Sequence, residues 1–242
     1  MRLVEIEENS DLLEKYKDEV NFALDKYNQG IVIYRGSKTY TKNIMFIDPT
    51  TRTNTRKSAN TFNYYTLWMS NNPQWASYPK RDRSLICSTS IGKAKIYGRI
   101  MIVIPLVDCK IGVCPNDDIW DSYKPNYSDF TYWLYKHFIK RWPDIHNTDL
   151  TYQVFIQKLK EITPTNDDSY FEPNFDELLE KHGSAEGVVS EVLDPVKNGF
   201  ILTSWKQFNI LVNREIWLSA PCLLIKPFVF RKLARDRKNA IS

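Results

Sequence analysis

Three short stretches of this 242-residue chain hold side chains suited to chemistry. The run Ile31-Val32-Ile33-Tyr34 leads into Arg35 and Gly36. A guanidinium suits a phosphate, because its planar fork donates two parallel charge-assisted hydrogen bonds. Glycine at the next position lets the backbone come close to whatever the arginine holds. The run Leu85-Ile86-Cys87 leads into three consecutive hydroxyls, Ser88, Thr89 and Ser90, and the pattern breaks at Gly92. Small hydroxyl residues at a strand end let a ligand approach and still offer hydrogen bonds. Far downstream, Glu215 opens the apolar run Ile216-Trp217-Leu218. Taken singly each stretch is ordinary, since a hydroxyl triplet often only caps a turn.

Apolar runs of this length read as short strands, and others accompany them. Gly98 to Pro105 predicts a central strand and Lys110 to Pro115 a shorter one. Gly199 to Ser204 returns to strand, and Cys222 to Lys226 is expected to pair with the Glu215 strand as a hairpin across Ala220-Pro221. Helical spacing of Leu12, Tyr16, Val20, Ala23 and Tyr27 predicts an N-terminal buttress over 10–29, capped by Ser10. The Thr-rich segment Lys38 to Lys57 reads as a loop, and a helix capped by Ser58 or Asn60 is expected to end at Asn71-Asn72-Pro73. Helical patterns near 128–138, 148–162 and 175–181 predict a helical insertion over about 116–198. The tail 231–242 is basic and reads as disordered.

Tyr34-Arg35, then Ser88-Thr89-Ser90, then Glu215 before an apolar strand resembles the ADP-ribosyltransferases of the Arg-Ser-Glu class. These are the cholera-toxin-like and clostridial-toxin-like enzymes, with relatives among bacteriophage proteins. The resemblance spans about Gly30 to Pro227, with a long unmatched stretch in the middle. It implies an α+β domain in which two small, mostly antiparallel sheets pack around an NAD cleft with helices outside. It also implies NAD as donor substrate and transfer of ADP-ribose to a macromolecular acceptor, protein favoured over RNA or DNA. Glu215 would stabilise the cation formed when the nicotinamide–ribose bond breaks, as carboxylates do for other oxocarbenium-like transition states. Arg35 would grip NAD, Gly36 would offer backbone groups to the nicotinamide amide, Ser88 would support Glu215, and Thr89 and Ser90 would help fix the cleft.

Arginine-modifying members carry a second Glu two residues before the catalytic one, where this chain has Asn213. An arginine acceptor keeps its proton up to a pKa above about 12, and Asn cannot take it. The departure argues against arginine as acceptor. Trp205 and Phe208 match the family's target-recognition loop by position. The same residues also suit an NAD glycohydrolase, a nucleic-acid ADP-ribosyltransferase, or a non-catalytic phage or structural binding protein.

Composition bounds the rest. Apolar residues make 43% and charged residues 26%, with a net charge of +4, as in ordinary globular domains. No run approaches the ~20 apolar residues of a membrane span. With no secretion signal visible after Met1, the protein is expected to be cytoplasmic, in a bacterium or a host cell, or delivered by a route other than a standard secretion signal. The four cysteines lie in apolar stretches and read as buried free thiols, and three histidines make a metal site improbable. Basic clusters at Arg52, Arg56 and Lys57, at Lys80, Arg81 and Arg83, and in the tail read as solvated surface, with phosphate or nucleic-acid binding as the alternative.

Overall fold

The apolar runs become strands of one open antiparallel sheet. The computed structural model describes residues 11–51, 64–123, 134, 140–143, 150–162 and 179–241. Its strands are β1 (Tyr34–Ser37), β2 (Ile44–Ile47), β3 (Leu85–Ser88), β4 (Arg99–Pro105), β5 (Lys110–Val113), β6 (Ile201–Ser204), β7 (Glu215–Leu218) and β8 (Cys222–Ile225). Their order across the sheet is β2-β8-β4-β1-β3-β7-β5-β6. The fold is α+β, with helices packed on the sheet.

The two separate sheets implied by the resemblance are here one hydrogen-bonded sheet, divided into halves at its middle. β1 pairs with β4 over its whole length, from Tyr34↔Ile102 to Ser37↔Arg99. It meets β3 at a single registered pair, Tyr34↔Ser88. Beyond that pair the two strands diverge and open a seam. The strands therefore bring Arg35, Ser88 and the Ser88↔Glu215 pair of β3 and β7 to the mouth of this seam.

Three local expectations are corrected. Arg35 and Gly36 lie inside β1, not beyond its end. Within the segment read as loop, Ile44-Met45-Phe46-Ile47 forms β2. This apolar run of four pairs at the sheet edge, register Ile44↔Ile225 to Ile47↔Cys222. Finally, β8 does not form a hairpin with β7. Both neighbours of β7 are taken, by β3 and β5, so the chain crosses at Ser219–Pro221 and β8 inserts between β2 and β4.

Side chains alternate across β7, as strand geometry requires. Ile216 and Leu218 enter one core with Leu85, Cys87, Val103 and Leu223. Helix α1 (Lys17–Asn28) covers this core, with Val20, Ala23 and Leu24 buried. The expected buttress is thus present, preceded by a helical turn at 11–15; its cap Ser10 lies outside the described residues. Trp217 enters a second core on the opposite face, built by α2 (Tyr64–Asn71), α4 (Tyr152–Lys160) and α5 (Ala185–Val192); α3 is the short helix Ile91–Ile96. Thr151 caps α4 by accepting from Val154 N at 3.3 Å, and Ser184 caps α5 by accepting from Gly187 N at 3.1 Å. Trp68 lies 6.3 Å from Tyr152, centroid to centroid, and Tyr64 lies 6.1 Å from Phe155. The helical insertion is therefore a packed layer on the sheet. Its expected helix near 128–138 lies outside the described residues except for Leu134, which is buried in this core. The expected caps Ser58 and Asn60 and the basic residues Arg52, Arg56 and Lys57 also lie outside them.

The basic tail is helical. α6 runs Pro227–Ile241, with Phe230 buried 5.4 Å from the Tyr27 ring. Arg237 ties its far end to α1 through Asp25 Oδ1 and the Asn21 carbonyl, both at 2.9 Å. Its apolar residues recur at helical spacing, which composition alone concealed. All four cysteines are free thiols. Burial pushes Cys109 up to about 12 and holds Cys114 and Cys222 well above the ordinary thiol range, so these three are poor nucleophiles. No described helix is long and apolar enough to cross a membrane.

Candidate active site

A cavity of about 120 Å³ opens at the seam. Arg35 and Gly36 of β1, Ser88 of β3 and Glu215 of β7 all line it. Lys93, Ala94 and Tyr97 bound it on one side and Asp117 and Asp118 on another. The residues singled out on three separate stretches thus share one space, delivered there by strand register.

Arg35 is largely committed to holding the seam. Its Nε donates to the Tyr40 hydroxyl at 2.8 Å, and its Nη1 donates to the Ile86 carbonyl. The guanidinium therefore replaces the ladder bonds that β1 and β3 stop making. Gly36 serves packing first. A Cβ there would stand 1.8 Å from the Ala94 carbonyl oxygen, so the glycine lets α3 lie directly on β1. Gly36→Ala is expected to cost about 1–3 kcal/mol, the range of overpacking changes in a close-packed interior. Urea unfolding checks this, and an unchanged midpoint would mean that α3 moves aside without loss.

The three hydroxyls divide their work. Ser88 Oγ accepts from Ser90 N at 2.9 Å and donates to the Arg214 carbonyl at 3.3 Å. Thr89 Oγ1 accepts from Arg214 N at 2.8 Å and donates to the Val212 carbonyl at 2.6 Å, pinning the loop that precedes Glu215. Ser90 caps α3, its Oγ accepting from Lys93 N at 3.4 Å. Of the three only Ser88 lines the cavity; Thr89 and Ser90 hold the pieces around it. Ser88 supports Glu215 through backbone pairing, since the hydroxyl itself bonds to Arg214.

Glu215 is 9% exposed. Its backbone is held on both sides, N–H to the Asn116 carbonyl at 3.0 Å and carbonyl to Cys114 N at 2.8 Å. Its side chain is held by a residue that sequence reasoning missed. Arg81, assigned above to a solvated basic cluster, is 2% exposed and donates from Nη2 to Glu215 Oε1 at 2.5 Å. The guanidinium lies 5.5 Å from the Trp217 ring and 5.8 Å from the Tyr65 ring. Burial works against its charge, and the Glu215 carboxylate more than offsets that, so Arg81 is held above its ordinary value and stays charged. Among the described residues no donor reaches Glu215 Oε2. No local signal marks Arg81, because its burial depends on a partner 134 positions away.

Two acceptor-recognition residues are corrected. Trp205 and Phe208 are buried in the first core, at 4% and 0% exposure. The Lys26 ammonium sits 5.8 Å from the Trp205 ring and donates to the carbonyls of Lys206 at 2.9 Å and Phe208 at 2.7 Å. Both aromatic residues close the core and present nothing to an acceptor. Asn213 is exposed in the loop before Glu215. Carboxylates do reach the cavity, but from the end of β5: Asp117 pairs with Lys93 at 3.1 Å, and Asp118 Oδ1 accepts from Trp120 N at 2.8 Å. The aromatic residues Trp75 and Tyr78 belong to the second core, where Tyr78 stacks 6.0 Å from Trp217. Among the described residues no group of three His, Cys, Asp or Glu is placed to hold a metal ion.

Comparisons of the chain with protein-family models, curated proteins and solved structures found no match.

Proposed function

We propose that this protein is an ADP-ribosyltransferase of the Arg-Ser-Glu class, using NAD as donor. One observation carries the reading: Arg35, Ser88 and Glu215, from strands far apart in sequence, line a single cavity where the sheet divides. Glu215 offers Oε2 to the developing ribose cation. The C–N bond between ribose and nicotinamide breaks, its electron pair leaving with nicotinamide. An acceptor nucleophile then bonds to the ribose carbon and gives up a proton. Asp117 and Asp118 supply carboxylates on the cavity wall, so proton removal does not hang on position 213. Arg35 acts by keeping the seam open at a defined width, with the part of its fork left over from Tyr40 and Ile86 available to the donor. The acceptor favoured is a protein side chain.

The test is transfer of label from NAD in bacterial lysate, wild type against Glu215→Gln, with products split between protease and nuclease. Label that depends on Glu215 and is lost to protease is the expected result. Loss to nuclease instead would make the acceptor a nucleic acid. Free nicotinamide without transferred label would make the enzyme a glycohydrolase. If the protein neither binds NAD nor releases nicotinamide, the proposal is wrong and a non-catalytic binding role replaces it.

A further inference from the structure

The buried Arg81–Glu215 pair is an expensive arrangement for a core. The side chains are 3% and 12% exposed, and Arg81 Nε and Nη1 are buried with no hydrogen-bond partner among the described residues. Removing two charges from water costs more than their attraction returns unless the remaining donors are satisfied, and apolar replacements of such pairs are often as stable or more so. Stability therefore does not account for a cation at this position. Orientation does. The turn Arg81–Arg83 is fastened on two sides: Asp82 N donates to Ser70 Oγ of α2 at 3.1 Å, and Ser219 Oγ donates to the Arg83 carbonyl at 3.1 Å. Aromatic rings of Tyr65 and Trp217 flank the guanidinium itself. One Glu215 oxygen is thus bound by a guanidinium whose turn is fastened on two sides, no donor among the described residues reaches the other, and Glu215 lines the cavity.

We propose that Arg81 is a positioning residue of the active site: by binding Oε1 of Glu215 it aims Oε2 at the donor and keeps the carboxylate rigid through the reaction. The proposal rests on the ADP-ribosyltransferase reading. A carboxylate aimed in advance acts on the transition state more than on bound NAD, so turnover and binding should separate.

The experiment measures nicotinamide release from NAD by the full chain, with Arg81→Lys and Arg81→Met compared to wild type. Circular dichroism establishes which variants fold. The expected result is that kcat falls about 10²-fold, as for a misplaced catalytic group, with KM for NAD nearly unchanged. Arg81→Lys keeps the charge on a shorter reach and should recover part of the loss. Millimolar guanidinium should also raise the rate of Arg81→Met while leaving wild type unaffected. A merely structural arginine predicts otherwise. A folded variant with wild-type kcat overturns the proposal, as does a loss confined to KM or one that neither Lys nor guanidinium relieves. Wild type that releases no nicotinamide overturns the enzymatic reading itself, and this proposal with it. Release by wild type that both variants match overturns the role of Arg81 alone.

Discussion

Glu215→Gln is expected to cut nicotinamide release from NAD by about 10³-fold, the scale of removing a preorganised electrostatic group aimed at developing charge. The variant keeps the volume of the side chain and an oxygen to accept from Arg81 Nη2, so the fold should survive. NAD binding should change little, because the positive charge on the ribose develops only as the glycosidic bond breaks. Glu215→Ala is a poorer probe. Both variants remove the counter-charge of the buried Arg81 guanidinium, but Ala also removes its hydrogen-bond acceptor and leaves a void, a disruption of a buried pair that typically costs about 3–5 kcal/mol. Lost activity would then mix chemistry with unfolding. Release is followed chromatographically at a temperature where both proteins are folded. Activity of Glu215→Gln within a few-fold of wild type would remove Glu215 from the reaction.

The second large effect is on stability. Trp217 has no exposed surface and is the point where the helical layer meets the sheet. Its indole N–H donates to the Pro79 carbonyl at 2.8 Å, and its ring lies against Trp75, Tyr78, Phe200 and the Arg81 guanidinium. It occupies space that Gly112 leaves open across the β5–β7 pair, where a Cβ would come within 2.2 Å of the indole. Trp217→Ala is expected to cost about 4 kcal/mol through the cavity it leaves. Many domains have only about 5–15 kcal/mol in total. Gly112→Ala should also destabilise strongly, because both backbone and ring are confined. A double variant, Gly112→Ala with Trp217→Ala, should lose less than the sum of the single losses, since removing the indole makes room for the added methyl. Denaturant unfolding of the four proteins gives the coupling directly. Additive losses would mean that the sheet shifts to relieve the contact independently of the ring.

Much of this arrangement is legible in the chain itself. The runs that became β3, β4, β5, β6 and β7, the buttress α1 and the helical character of the region after Pro115 follow from local periodicity. Such patterns reflect burial of neighbouring side chains and need no knowledge of distant partners. The short apolar run of β2 was masked by its polar surroundings. The tail helix α6 was masked by its charge, because composition weighs residues without asking which face they occupy.

What the sequence determined, then, is which residue types stand on or beside short strands: a guanidinium at 35, a hydroxyl at 88, a carboxylate at 215. Only the tertiary structure decided that β1 and β3 part after Tyr34↔Ser88, and so made a cavity between these groups. It also sent β8 to the far half of the sheet, buried Trp205 and Phe208 over Lys26, and placed Arg81 behind Glu215. Strand pairing and the burial of a charge both depend on a partner supplied from elsewhere in the chain. The free energy of burying Arg81 is set by Glu215 and two aromatic rings that meet only in the folded state.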